Sequence, residues 1–129
     1  MGGDREKLYT VTELAERLGV TARAIRFYET KGLLSPQRVG STRVYDYRDR
    51  ARLQLILRSK KLGFSLADIR EYLDLYDPAG GQREQQQLLL NKVQGRIASL
   101  QQQQEALEST LAELREIEAA ARRSLQQLK

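Results

Sequence analysis

The chain has 129 residues, 40% of them apolar, and a formal net charge of +5. It contains no cysteine and no histidine, which excludes disulfides, thiolate or imidazole metal sites, cysteine nucleophiles and histidine-based acid–base catalysis. With no GxxxxGK[ST] phosphate loop, no apolar run of membrane-spanning length and no hydrophobic signal region, we expect a cytoplasmic protein that is neither an enzyme nor dependent on a cofactor.

The excess positive charge lies in the first part of the chain. Between Arg17 and Lys61, twelve Lys and Arg residues face only three carboxylates, a net charge of +9, whereas residues 77–129 are neutral overall. Phe27 and several tyrosines are interleaved with these cations, a composition typical of a polyanion-binding surface. The alternative is a basic face that is only solvated and binds nothing.

Two short helices are predicted near the N-terminus. Thr10 begins a capping box with an apolar helical face behind it, and Gly19 fits the position that ends such a helix. Thr21 can cap a second helix that runs through Lys31 and ends at Gly32. Joined in this way, the two helices form a helix-turn-helix pattern. Three apolar residues would close its corner: Leu18, Val20 and Ile25.

The second predicted helix separates its charges from its apolar residues. At about 100° per residue, Arg23, Arg26 and Lys31 project with Phe27 to the side opposite Ile25. The second helix of a helix-turn-helix enters the major groove of DNA, where Arg can bond guanine edges bidentately. The phosphate contacts expected to flank it are Lys31, Arg38, Arg43, Lys60 and Lys61.

A small hairpin and two further helices are predicted next. Pro36 blocks helix continuation, and Arg38–Tyr45 combine a Gly-Ser-Thr turn with strand-like alternation, which predicts a hairpin wing. Helical periodicity returns from Asp46 to Lys61, and Ser65 opens another helix. Their expected core residues are Leu53, Ile56, Leu57, Leu66, Ile69, Leu73 and Tyr76.

The C-terminal part is predicted to be one long helix. The Pro- and Gly-rich stretch from Asp77 marks a linker, which gives an N-terminal domain at 8–76, a linker at 77–87 and a helix at 88–129. Steps of four and three from Val93 find apolar residues at nine of eleven positions, with Gln104 and Glu118 as the exceptions. The expected dimerisation residues are Val93, Ile97, Leu100, Leu107, Leu111, Leu114 and Leu125.

This helix would be about 60 Å long at roughly 1.5 Å per residue, too long to be covered by the domain before it. It therefore needs a partner coil, and polar residues on the seam favour a dimer of defined register. The Gln-rich composition leaves low-complexity disorder as the alternative.

These motifs together resemble the MerR family of bacterial transcription regulators. The matching residues are "YTVTELAERLGVTARAIRFYETKGLL.P.R", then "R.Y" at Arg43 and Tyr45, then "RL..I...K.LGFSL.DI" from Arg52 to Ile69. They cover most of the chain from Tyr9 to Tyr76, in order and with matching spacing. Phe27 departs from the tyrosine frequent at its position, which removes one hydroxyl able to bond a phosphate.

The resemblance implies a mainly α fold. A winged helix-turn-helix DNA-binding domain of four helices has the hairpin as its first wing and the "GFSL" region as part of a second. A long dimerisation helix follows, forming an antiparallel coiled coil in a homodimer. The DNA-binding residues expected from the motifs and the resemblance together are Thr21, Arg23, Arg26, Phe27, Tyr28, Lys31, Arg38, Arg43, Tyr45, Lys60 and Lys61.

The resemblance also implies a function. Such a dimer binds a pseudo-palindromic promoter operator in the nucleoid and bends and untwists the DNA, so that RNA polymerase engages both promoter elements. The N-terminal half looks like members linked to branched-chain amino acid or acyl-CoA catabolism. The small-molecule effector stays unknown, and the metal- and redox-sensing cysteines of other branches are absent. The alternatives are a coiled-coil adaptor and a signal-independent architectural DNA binder.

Overall fold

The computed structural model describes residues 7–75 and 82–128. The chain divides into two compact units, Met1–Asp74 and Leu75–Lys129. The first holds helices α1 (Val11–Leu18) and α2 (Ala22–Thr30), strands β1 (Gln37–Val39) and β2 (Thr42–Val44), and helices α3 (Tyr47–Lys61) and α4 (Leu66–Asp74); the second holds α5 (Gln82–Gln127). The expectation of a mainly α fold with one small hairpin is confirmed.

Helices α1 and α2 form the predicted helix-turn-helix. Thr10 caps α1 in a reciprocal box with Glu13, and Gly19 ends the helix in the left-handed region at φ 69°. The Thr21 hydroxyl accepts a hydrogen bond of 3.0 Å from the Ala24 backbone N–H and so begins α2. The predicted corner is present, since Ile25 is fully buried and Leu18 and Val20 pack partly buried against the same core.

Strands β1 and β2 form the predicted hairpin wing, with antiparallel register Gln37 to Val44, Arg38 to Arg43 and Val39 to Thr42. Gly40 turns the chain between them at φ 63°, a conformation that residues with a Cβ rarely adopt. The backbone pairing continues beyond the two strands to Tyr9, a residue that no sequence pattern connected with the hairpin. Tyr45 pairs with Tyr9 through two backbone hydrogen bonds of 2.8 and 2.9 Å, which tie the wing to the segment before α1.

Helices α3 and α4 complete the core of the first unit. Asp46 and Asp49 form a capping box at the start of α3, and Ser65 and Asp68 exchange the same pair of bonds at the start of α4. Of the predicted core residues, four are buried and Leu57 and Leu66 are partly buried; the buried ones are Leu53, Ile56, Ile69 and Leu73. The predicted core position Tyr76 lies outside the described residues.

Helix α5 begins earlier than the sequence predicted. It spans 46 residues from Gln82, whereas the linker was expected to continue to residue 87 and the helix to start at 88. Residues 82–87 are Gln, Arg and Glu, all good helix formers, and the Pro-Gly composition that signals a linker ends at Gly81. The remainder of the predicted linker, 77–81, and Lys129 lie outside the described residues.

Candidate nucleic-acid interface

Helix α2 presents a cationic face to solvent. Arg23, Arg26 and Lys31 are exposed, while Ile25 on the other side is fully buried. Within residues 7–75 and 82–128 the guanidinium groups of Arg23 and Arg26 have no hydrogen-bond or ion-pair partner. Buried cations must be paired, but exposed ones on a helix need no partner and are free to meet an anion.

Phe27 and Lys31 form a contact within this face. The Phe27 ring is 46% exposed, and the Lys31 Nζ lies 5.5 Å from its centroid, a cation–π distance. Phe27 also meets Tyr28 edge to face with centroids 5.6 Å apart. Tyr28 is partly buried and packs against the core, so the exposed Phe27 ring contacts a side chain that the core holds in place. The expected side-by-side placement of cations and an aromatic is therefore present.

Glu29 joins α2 to the wing. Its Oε1 accepts a hydrogen bond of 2.9 Å from the Arg43 Nε, and its Oε2 lies 3.4 Å from the hydroxyl that Tyr45 donates. The carboxylate side chain is only 19% exposed and the Arg43 side chain 36% exposed. One carboxylate thus holds two residues of the strand end against the second helix of the helix-turn-helix.

The same cluster shifts the acid–base properties of its members. The Glu29 carboxylate, through its hydrogen bond and its charge, raises the pKa of Arg43 above its ordinary value, so the guanidinium is always charged. Burial is the main cause that raises the pKa of Tyr45 above 10.0, and the neighbouring Glu29 charge adds to it. Outside this cluster, in the capping box of α3, burial raises the pKa of Asp49, and the hydrogen bond that its carboxylate accepts from the Asp46 backbone N–H opposes that rise.

The position of Tyr45 corrects its assignment as a DNA contact. Its side chain is 0% exposed, because it lies in the core beneath the wing with its hydroxyl directed at Glu29. A side chain without accessible surface does not reach a phosphate in this structure. Tyr45 was expected to contact DNA because it matches a wing position of the family, but its backbone pairing with Tyr9 accompanies a side chain that lies inside the core.

The wing carries two arginines directly opposite each other. Arg38 of β1 pairs in register with Arg43 of β2, and like charges at opposed positions destabilise a strand pair. Glu29 neutralises Arg43 on one side, whereas the exposed Arg38 side chain has no partner within the described residues. The wing therefore keeps a local excess of positive charge that an anion would relieve.

The remaining predicted phosphate contacts lie at the end of α3. Lys60 and Lys61 are both exposed in its last turn, followed by the 52% exposed Leu62 and the left-handed Gly63. Cations at a helix C-terminus also complement the helix dipole, which is a purely structural reason for their presence. No hydrogen bond or ion pair in the described residues links them to α2, so their place in one surface with Arg23 stays a prediction.

The apolar seam of α5 is exposed along its length. All but one of the expected dimerisation residues are between 38% and 71% exposed, and Val93 is intermediate. The structure adds two exposed apolar residues that the sequence prediction omitted, Leu90 at 50% and Ile117 at 64%. Leu90 lies three residues before Val93, so extending the same spacing backwards would have found it.

Three further contacts were missed from the sequence because their partners are distant along the chain. Arg50 Nη1 donates a 2.8 Å hydrogen bond to the Tyr9 hydroxyl, and Arg52 Nε donates one of 2.6 Å to the Leu33 carbonyl. The third is the Glu29 bridge, the pair of hydrogen bonds that the Glu29 carboxylate accepts from Arg43 and Tyr45. Its only sequence signal was that Glu29 is the one carboxylate on an otherwise cationic helix.

Metal-ligating side chains do not cluster in the part of the chain that the structure describes. No group of three or more His, Cys, Asp or Glu residues able to hold a metal ion occurs there. None of the helices in residues 7–75 and 82–128 combines the length and apolarity that crossing a membrane requires.

Together these features define a helix-turn-helix protein with a hairpin wing and a long C-terminal helix. A family model described as "MerR HTH family regulatory protein" matches residues 9–75, and one described as "MerR, DNA binding" matches residues 50–117. The chain belongs to the MerR family of helix-turn-helix regulatory proteins.

Two curated relatives show the same relationship. The HTH-type transcriptional regulator SkgA of Caulobacter vibrioides is 38% identical over 83% of this chain, but the chain spans only 42% of that relative's length. The HTH-type transcriptional regulator ZntR of Escherichia coli is 35% identical, with 78% of this chain and 77% of ZntR covered. A MerR-family regulator structure from Bacillus cereus is 28% identical at a TM-score of 0.69, covering 85% of this chain and 79% of that one.

Proposed function

We propose that the protein is a transcriptional regulator that binds double-stranded promoter DNA through α2 and the wing. The observation that carries this is the exposed face of α2, where Arg23 and Arg26 have no partner in the described residues. A helix that projects arginines from the second position of a helix-turn-helix is placed to bond base edges in the major groove. The names of the relatives SkgA and ZntR support a regulator.

The protein acts as a homodimer. Helix α5 would be about 70 Å long at roughly 1.5 Å per residue, and its exposed apolar seam fits a second copy in an antiparallel coiled coil. A two-fold dimer carries two copies of α2, so its operator is pseudo-palindromic, with half-sites separated by the spacing of the two helices.

The dimer controls transcription by distorting its operator. Bending and untwisting change the relative placement of the promoter elements that RNA polymerase must engage. The resemblance of the N-terminal half supports genes of branched-chain amino acid or acyl-CoA catabolism as the targets. The protein would act in the cytoplasm. An effector of unknown identity would set the response.

Binding is tested with duplexes that the wild-type protein enriches from a random-sequence library, followed by titration against a scrambled duplex. We expect an enriched pseudo-palindrome, affinity in the nanomolar range and a steep fall of log K with log salt. No enrichment, or equal affinity for scrambled DNA, would refute sequence-specific regulation. An adaptor that binds no DNA would shift neither duplex.

Single substitutions test the assigned surface. Arg23→Ala should weaken operator binding by about 1 to 3 kcal/mol if it contacts a base edge. Arg123→Ala is the matched control, because Arg123 is an exposed cation of α5 located away from the apolar seam. Equal losses in both variants would show a general charge effect rather than contact by α2.

Regulation is tested separately from binding. A reporter driven by a promoter that contains the enriched operator should change its output when the protein is present. An architectural binder would occupy the same operator and leave the output unchanged, and this outcome would overturn the distortion mechanism while leaving binding intact.

A further inference from the structure

The Glu29 bridge is unusual for its place on the molecule. A carboxylate on the helix that faces DNA repels phosphate, so its presence opposes the charge of the surface around it. It is nevertheless mostly buried, at 19% exposure, and it is bonded to two residues of the wing. A carboxylate that only balanced charge could lie anywhere on the exposed surface.

The geometry leaves one end of Arg43 available. Its Nε donates to Glu29 Oε1 at 2.9 Å, and no other partner of its side chain occurs in the described residues. Arginine has five N–H donors in a rigid planar fork, so the four on the two Nη atoms remain for a second anion. The side chain is 36% exposed, enough for that end to meet solvent.

Fixing the guanidinium matters because its strand neighbour is also cationic. Arg38 lies directly across the hairpin from Arg43, and two like charges in register would otherwise push the side chains apart. The ion pair holds Arg43 toward α2. The Tyr45 hydroxyl, inside the core, donates a hydrogen bond to the other carboxylate oxygen, which restricts the rotamers of Glu29.

We propose that Glu29 is a positioning residue that determines operator specificity: it holds the Arg43 guanidinium beside α2, so that the free Nη groups meet a backbone phosphate at one fixed distance from the bases that α2 contacts. Phosphate contacts carry no sequence information themselves, but they fix the register in which the recognition helix meets base edges. The inference rests on the DNA-binding function proposed above.

The role predicts a loss of discrimination rather than a loss of binding. Without a charged partner at the right distance, Arg43 is held less firmly and still attracts phosphate, and Glu29→Gln also removes one repulsive charge from the surface. Affinity for scrambled DNA should therefore stay constant or rise. Affinity for the operator should fall about five- to tenfold, since the charge-assisted hydrogen bond that positions Arg43 is weakened.

The test measures operator and scrambled-duplex affinity for three variants of the full chain. Glu29→Gln removes the charge and keeps an acceptor. Glu29→Asp keeps the charge on a side chain one methylene too short to reach both partners. Glu16→Gln is the control, because it removes one carboxylate from the exposed surface of α1. Thermal unfolding of each variant identifies a temperature at which all variants are folded, and the affinities are measured at that temperature.

We expect the ratio of operator to scrambled affinity to fall for both Glu29 variants and to stay at the wild-type value for Glu16→Gln. A Glu29→Asp ratio equal to wild type would overturn the inference, since charge alone would then suffice. A parallel loss of both affinities would also overturn it, because that is the signature of a merely structural residue. If the wild-type protein enriches no operator, the proposed function itself fails, and the two failures are thereby distinguished.

Discussion

Tyr9 and Tyr45 are joined by reciprocal backbone hydrogen bonds of 2.8 and 2.9 Å, although one precedes α1 and the other follows β2. Both rings are buried, at 2% and 0% exposure. Tyr45 reaches Glu29 with its hydroxyl, and Tyr9 accepts a hydrogen bond from Arg50. The pair therefore connects the base of the wing to the helix-turn-helix on the buried side of the cationic surface.

The first prediction concerns alkaline stability. Because the pKa of Tyr45 is raised above 10.0, the folded protein keeps this proton where the unfolded chain loses it. Its contribution to the free energy of unfolding is complete below pH 10.0 and is lost as the pH rises through the folded-state pKa. Urea unfolding of wild type and Tyr45→Phe should show a stability difference that shrinks above this pH.

The comparison with Tyr45→Phe removes the contribution of the other tyrosines, because they titrate in both proteins. A difference that stayed constant across the alkaline range would mean that the Tyr45 hydroxyl titrates normally in the folded state.

The second prediction concerns the buried Tyr9 hydroxyl. Arg50→Met removes the 2.8 Å hydrogen bond that Arg50 Nη1 donates and leaves the hydroxyl without a partner, which should cost about 1 to 3 kcal/mol of stability. Tyr9→Phe removes the other partner. In a double-mutant cycle followed by urea unfolding, the double variant should be less destabilised than the two single variants added together. Strict additivity would show that the bond contributes nothing.

The sequence predicted those features that depend on neighbours a few residues away. The caps at Thr10, Thr21 and Ser65 could be predicted because each side chain accepts a hydrogen bond from a backbone N–H three residues further on. The burial of Tyr45 could not be predicted, because its position depends on backbone pairing with Tyr9, and no local sequence period connects these two residues.

The same distinction applies to the candidate interface. Helical periodicity correctly separated the exposed Arg23 from the buried Ile25, because both lie on one helix. It could not show that Arg43 is held by Glu29, because that contact depends on how the wing folds back against α2. Composition likewise placed the start of α5 too late, since the residues of 82–87 suit a polar linker as well as a helix.

The third prediction concerns Phe27, at a position where the resemblance to the family led us to expect tyrosine. Phe27→Tyr should add a hydroxyl at the exposed ring edge that can bond a phosphate, tightening DNA binding by about 0.5 to 1.5 kcal/mol. Operator and scrambled duplexes should gain alike, because a phosphate contact carries no sequence information. Weaker binding in fluorescence titrations would show that the ring edge lies against a surface that rejects a hydroxyl.

The fourth prediction concerns the apolar seam of α5. Leu107→Lys should dissociate the dimer, because a charge would be buried at the centre of the proposed coiled coil. Ser109→Lys adds the same charge to the same helix two positions away, on an exposed residue outside the seam. Sedimentation over a range of concentrations should give a monomer for the first variant and a dimer for the second. A dimer in both would place the interface elsewhere.

The last prediction compares two glycines that occupy different backbone conformations. Gly32 follows α2 at φ 79°, and a Cβ there would lie 3.1 Å from an Arg70 guanidinium nitrogen. Gly32→Ala should destabilise the protein by about 1 to 2 kcal/mol, because left-handed backbone is costly for a residue with a Cβ. Gly95 lies within α5, where an added Cβ would meet no atom within 4 Å, so Gly95→Ala should stabilise that helix by about 0.5 to 1 kcal/mol. Thermal unfolding at one protein concentration measures both, and shifts of the same sign would show that backbone conformation is not what separates them.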